Sequence, residues 1–235
     1  MIFINTAHTA KAIKKEKTVY YNLHMMELFE TINKRRSIRR FKDASVPHED
    51  ILKIIDAARK APSAGNSQPW HFIIIKDKRI TRRMADAVRT TTDGLIKRSK
   101  TKDVRKRLQA YKEFFYTFFE KAPVTIVVLT TSYESAVDKI LKEMGISDEK
   151  LFSLRPLPGL QSVSAGIENM LLTVHALGYG ACWMTGPLIA ADKFKEILPI
   201  EEPWFPVALV PIGIPDESPP ERQRKPIEEI ITVIE

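Results

Sequence analysis

The chain has 235 residues but only one cysteine, nine glycines and three tryptophans. A single thiol, Cys182, excludes an intrachain disulfide framework and any multi-cysteine zinc or iron–sulfur site. It fits a reducing compartment, so a cytoplasmic protein is expected. No Gly-x-Ser-x-Gly elbow, His-Glu-x-x-His pair or Walker phosphate loop occurs, and the five histidines are scattered without ligand spacing. No catalytic triad and no metal site are therefore expected. Gly178-Tyr179-Gly180 lacks the third glycine of a dinucleotide fingerprint and follows a helical pattern where that fingerprint needs a strand. The longest nearly apolar stretch, Trp204 to Ile214, is too short to span a bilayer and contains Pro206 and Pro211. A soluble chain with no membrane partner follows as an expectation. Internal repeats are absent too.

What is present is charge, unevenly placed. The net charge is +8, yet the segment from Lys76 to Glu113 holds fourteen Lys/Arg and five Asp/Glu, so it carries +9 and the remainder −1. Such a segment can be a solvated helical face, a phosphate tracker for nucleic acid, or an attractor of anionic NADPH. It lacks interleaved aromatics between Arg82 and Arg107 and has no groove-reading motif, which argues against nucleic acid.

The hydrophobic pattern predicts an α+β chain. Ile51, Leu52, Ile54, Ile55 and Ala58 recur at helical spacing after Pro47, with Glu49 and Asp50 near the positive helix end. Phe72–Ile75, Val124–Leu129, Ala181–Met184 and Pro206–Ile212 read as strands, and Ile80–Val88, Ser135–Met144 and Asp192–Ile197 as helices. A loop is expected after Gly145. Leu160 to Leu177 forms the longest apolar face, closed by Gly178. Leu108, Tyr111, Phe115 and Phe118-Phe119 make an aromatic stripe that either packs in the core or lids a pocket. His71 is expected to be structural and Cys182 an inert small hydrophobe in a strand. Residues 1–24 are expected to be a poorly packed extension rather than a signal peptide, and 25–235 one domain.

Two short runs stand out. Arg35-Arg36-Ser37-Ile38-Arg39 gathers three guanidinium groups and a hydroxyl, which suits a phosphate. Ala61-Pro62-Ser63-Ala64-Gly65-Asn66-Ser67-Gln68-Pro69-Trp70 is a polar loop stiffened by two prolines, able to present donors and acceptors to a heterocycle edge.

These runs, with Gly178-Tyr179-Gly180-Ala181-Cys182-Trp183-Met184-Thr185-Gly186-Pro187 and the closing Arg222-Gln223-Arg224-Lys225-Pro226 segment, resemble the nitroreductase family of flavin enzymes. The resemblance implies a central, mostly antiparallel sheet flanked by helices in an intertwined homodimer, with FMN at the interface and NAD(P)H as electron donor. It implies that Arg35, Ser37, Arg222 and Arg224 hold the phosphate or ribityl end, with Arg36 beside them. Pro62, Ser63, Ala64, Asn66 and Gln68 would line the cofactor. Arg39 would stand near the N1–C2=O edge, where family members often carry Lys, and the Gly186 N–H, with or without Thr185, would donate to N5. Many relatives have Glu-Gly where this chain has Thr185-Gly186. The implied activity is two-step hydride transfer from NAD(P)H to nitroaromatic, quinone or related small acceptors. The alternatives are a dehalogenase, an ene-reductase, a flavin-fragmenting enzyme, or a flavin- or nucleic-acid-binding module without turnover.

Overall fold

The computed structural model describes residues 28–235, so the expected extension at 1–24 lies outside the described residues. Among the described residues eight α-helices occur: α1 (28–34), α2 (His48–Ala58), α3 (Lys78–Arg98), α4 (Lys102–Tyr111), α5 (Ala136–Glu143), α6 (Asp148–Leu154), α7 (Pro158–Ala176) and α8 (Ala191–Ile197). Strands β1 (Trp70–Ile75), β2 (Val124–Thr130), β3 (Gly180–Ala181) and β4 (Phe205–Gly213) form one sheet in the order β1-β2-β4-β3, with every neighbouring pair antiparallel.

Every residue of β2 is buried, which fits its unbroken β-branched and aliphatic sequence. Its alternate side chains enter two cores. Val124, Ile126 and Val128 meet Ile51 and Ile54 of α2 and Val163, Ile167 and Met170 of α7. Val127 and Leu129 face Met84, Ala85 and Val88 of α3 and Phe194 of α8 on the other side. Helices therefore cover both faces of the sheet, as the α+β reading expects.

Helix α7 closes on α2 because Gly166 has no side chain, and a Cβ there would stand 3.2 Å from the Ala58 carbonyl oxygen. Asn169 Nδ2 donates to the Ala57 carbonyl oxygen at 3.2 Å across the same contact. Gly178, at φ 82°, ends the helix as expected, and Gly145, also at φ 82°, follows α5.

Three expectations need adjustment. The basic helix runs from Lys78 to Arg98 rather than from Ile80 to Val88. The loop expected after Gly145 contains α6, capped by the Ser147 hydroxyl. The expected strand Ala181–Met184 pairs continuously only at Gly180–Ala181; Met184 makes an isolated bridge to Leu209. The aromatic stripe splits between its two readings. Phe118 and Phe119 are core, whereas Phe114 and Phe115 are exposed on a π-helical turn, Lys112–Tyr116.

Candidate functional site

The arginine run leaves α1 and lies along the sheet edge. Ser37 bridges Ala181 in parallel, and the Ile38 N–H donates to the Ala181 carbonyl at 2.9 Å. Gly180 permits this approach, since a Cβ there would meet the Ile38 side chain at 2.6 Å. Further on, Lys42 N–H donates to the Ile214 carbonyl at 2.9 Å and Asp216 N–H to the Arg40 carbonyl at 3.0 Å. The Glu217 carboxylate accepts the backbone N–H groups of Arg39 and Arg40 and pairs with Arg40 Nε at 3.3 Å. Nothing local in the sequence marks Glu217, which acts 178 residues from Arg39.

Held this way, the run presents its cations differently. Lys34, Arg35 and Arg36 line a cavity of about 180 Å³ together with His175 and Tyr179. Arg35 Nε is 3.9 Å from the Glu168 carboxylate and Arg36 is 3.6 Å from that of Glu221. Burial first, and then the charges of Arg35, Arg36 and Lys34, hold His175 below the ordinary histidine range. A cavity walled by three cations and a reluctant histidine suits an anion. Arg39 instead turns to the other side, donating to the Ser37 carbonyl at 3.2 Å, with its guanidinium 5.7 Å from the centroid of Phe115.

Cys182 is buried beneath Ser37 and Arg39, and burial pushes its thiol up despite those neighbours. That environment matches the inert hydrophobe expected of it. His71 packs against Trp204 with ring centroids 5.3 Å apart and planes tilted by 38°, a structural contact.

Thr185 is exposed and Gly186 half-buried at the start of a 3₁₀ turn, Gly186–Ala190. The ring of Tyr116 occupies the space that a side chain at Gly186 would need. Tyr116 in turn lies 5.9 Å from Tyr111, and Tyr111 packs edge-on to Phe115 at 5.5 Å. The π-helical turn thus sets aromatic rings over both Arg39 and Gly186.

The second run, residues 61–70, makes a 3₁₀ turn with Gly65, Asn66 and Gln68 at φ 58°, 53° and 47°. Three left-handed residues in four make this a constrained shape, and Gln68 has no local compensation of the glycine or asparagine kind. The Ser63 hydroxyl oxygen accepts the Gln68 N–H at 3.1 Å, so it serves the loop itself. Ala64 N–H donates to Ser162 Oγ of α7 at 3.1 Å, while Ser162 Oγ–H donates to the Pro158 carbonyl at 2.8 Å. Tyr133 lies against both Gly65 and Gly159, and a Cβ on Gly65 would meet its hydroxyl at 2.9 Å. Pro62, Asn66 and Gln68 are left exposed, with Ala64 half-buried.

Beside this loop a larger cavity of about 570 Å³ is lined by Tyr133, Phe152, Leu157 and Phe205 and by the Asp138–Arg155 pair. Arg155 Nε lies 2.8 Å from Asp138 Oδ1 in an orientation that gives an ion pair rather than a hydrogen bond.

The two runs do not meet within one chain. The loop sits on Ser162, near the start of α7, and the arginine cavity on Val174 and His175, near its end. Twelve residues of helix separate those points by about 18 Å. The tail bearing Arg222 and Arg224 is exposed from residue 221 to 235, and the contact it makes with the arginine cluster is through Glu221. Sequence reasoning missed Glu217, Ser162, His175, Tyr116 and Tyr133, each of which acts through a distant partner.

The sequence pattern described as the Nitroreductase family matches residues 32–214, more than half of the chain. A Methanothermobacter thermautotrophicus protein provisionally named NADH dehydrogenase/NAD(P)H nitroreductase is 28% identical over 216 residues, covering 90% of this chain and 89% of its own. Among solved structures, a BluB-like flavoprotein of Clostridium difficile 630 is 35% identical, with a TM-score of 0.82 over 88% of this chain and 99% of that one. An iodotyrosine deiodinase bound to FMN and 3-iodo-L-tyrosine, 20% identical, shares the fold with a TM-score of 0.65 over 85% of this chain and 96% of its own. The chain belongs to the nitroreductase family.

Proposed function

We propose that the protein is an FMN-dependent oxidoreductase that takes hydride from NAD(P)H and reduces a small aromatic acceptor, working in the cytoplasm as a homodimer with its cofactor sites at the interface. The observation that carries the dimer is the separation along α7: one chain offers an anion cavity at one end of the helix and a ring-reading loop at the other. Two copies with antiparallel α7 helices bring the cavity of one to the loop of the other.

In this arrangement Arg35, Ser37, Arg222 and Arg224 hold the phosphate and ribityl end, with Arg36 beside them. The exposed tail reaches across a second copy, which explains a segment that buries nothing on its own chain. Pro62, Ser63, Ala64, Asn66 and Gln68 present their backbone and the free amide side chains to the ring. Arg39 lends positive charge to the N1–C2=O edge, and the Gly186 N–H, with Thr185 beside it, is directed at N5. Bound FMN supplies the two-electron chemistry, hydride in from NAD(P)H and out to the acceptor, that the side chains alone lack. The donor set fits such a group, since the cations stand at one end and neutral polar groups at the other.

A mixed dimer tests this. Chains carrying Arg35→Ala and chains carrying Asn66→Ala with Gln68→Ala should each lose FMN. Co-expressed, they should regain one intact site per mixed dimer, because Arg35 of the second chain and the loop of the first are both native. Continued absence of flavin from isolated mixed dimers counts against a shared site. Elution at 26.9 kDa with flavin bound does so as well.

The rings of Tyr116 and Phe115 over the site favour one further reading, a specialised flavin enzyme such as a dehalogenase, an ene-reductase or a flavin-fragmenting enzyme. A capped site discriminates among acceptors where an open one does not. Rapid bleaching by NADPH with slow turnover of nitroaromatics distinguishes it.

A further inference from the structure

Seven cations are exposed along one stretch, Lys97 and Arg98 in the last turn of α3, Lys100 in the link, and Lys102, Arg105, Lys106 and Arg107 on α4, and none forms an ion pair among the described residues. Three cations outside this stretch are neutralised, Arg79 by Asp77, Arg89 by Asp86 and Glu120, and Lys112 by Asp93 at 2.7 Å. Only Asp103 offers a negative charge within the seven.

Helix α4 buries none of its ten residues. Arg107 packs on Tyr111 and Arg105 reaches the Ser99 carbonyl oxygen, but Lys102 and Lys106 support no packing, and cations spaced three and four apart weaken a helix this short. A free-energy cost without a structural return points to a ligand of opposite sign.

The location narrows the ligand. Arg107 donates from Nε and Nη2 to the Tyr111 hydroxyl at 3.2 and 3.1 Å, and its guanidinium lies 5.4 Å from the centroid of that ring. Tyr111 touches Phe115 and Tyr116, which cover Arg39 and Gly186. One set of aromatic contacts thus joins the cationic helix to the candidate ring site. A molecule whose reactive end enters that site would lay its remote end along α4.

We propose that the 97–107 segment is an anion-binding rim for the phosphate groups of a dinucleotide hydride donor. The inference rests on the oxidoreductase reading above and adds the substrate contact. A pyrophosphate bridge alone, or together with a ribose phosphate, carries several negative charges spaced along a flexible chain, and a row of unpaired guanidinium and ammonium groups meets them in more than one register. The same row raises the encounter rate for an anionic donor, and that gain falls with ionic strength.

The test uses FMN-loaded protein and a variant with Lys102→Gln, Arg105→Gln and Lys106→Gln. Glutamine keeps helix propensity, nothing is buried at these positions, and Arg107 stays on Tyr111. Calorimetric titration with NADP⁺ and with NAD⁺ at low and high salt reads binding without turnover. The expected result is salt-sensitive NADP⁺ binding that the variant weakens about tenfold or more, with FMN retention unchanged. Equal weakening of NAD⁺ assigns the rim to the pyrophosphate, and weakening of NADP⁺ alone assigns it to the ribose phosphate. Unaltered affinity for both nucleotides overturns the proposal, and in that case loss of duplex DNA retention by the variant reassigns the segment to nucleic acid. Failure of the oxidoreductase reading looks different: the native chain then emerges from desalting without flavin.

Discussion

The ring of Tyr116 lies so close to the Cα of Gly186 that no side chain can stand between them. Gly186→Ala should displace the ring and cost about 1 to 3 kcal/mol by overpacking. Tyr116→Ala removes the obstacle, so the double variant should lose clearly less than the two single losses together. Urea denaturation of the four proteins reads this coupling, and strict additivity would show that the two residues are not in contact.

Arg35 and Arg224 lie far apart in character, one beside α7 and the other on the exposed tail, yet the proposed site assigns both to the phosphate. Arg35→Ala and Arg224→Ala should each remove charge-assisted bonds of about 1.5 to 3 kcal/mol from FMN binding while the fold survives. Fluorescence titration with FMN measures it. An unchanged affinity in the double variant would discard the phosphate assignment.

His175 gives a pH dependence. Its proton is held more weakly in the folded chain than at the ordinary value of 6.5, first through desolvation and then through Arg35, Arg36 and Lys34. Its contribution to stability is therefore present above 6.5 and is lost as pH falls through the lower folded value. The groups facing it across the cavity include those three cations, Tyr179 and the Glu217 carboxylate. An anion seated there offsets the cations, so binding should draw a proton onto the ring. NMR titration with and without FMN should show the His175 pKa rising. A value that does not move places the phosphate elsewhere.

Ser162 supports the ring-reading loop from α7. Ser162→Ala leaves the Ala64 N–H without its acceptor and should cost about 1 to 2 kcal/mol. FMN affinity should fall with it, although Ser162 itself is not assigned to the cofactor. Stability loss with native FMN affinity would mean that the loop keeps its shape unaided.

The sequence shows most clearly those elements whose cause is local. The strand β2 is an unbroken apolar run, and α7 has a long apolar face with glycine at its end. Helix α6 escapes notice because its seven residues bury nothing and its Leu154 and Phe152 are left half exposed. The aromatic stripe looks continuous in sequence, but the π-helical turn at Lys112–Tyr116 rotates Phe114 and Phe115 away from Phe118 and Phe119. Both candidate runs are visible as motifs. Their placement at opposite ends of α7 is not, because it follows from tertiary contacts of Ser162, Val174 and His175. Glu217 shows the same limit, since its role is defined entirely by backbone groups of Arg39 and Arg40.

The alternation of β2 side chains between two cores divides labour in the molecule. Val124, Ile126 and Val128 serve the α2–α7 side, where the loop and arginine cavity are anchored, while Val127 and Leu129 serve the side that carries α3 and leads to the aromatic cap. The sheet is a bulkhead between them. Substitutions that reshape the outer cap and its cationic helix can accumulate without loosening the packing that anchors the 61–70 loop and the arginine cavity, so one half of the candidate site is free to diverge while the other stays put.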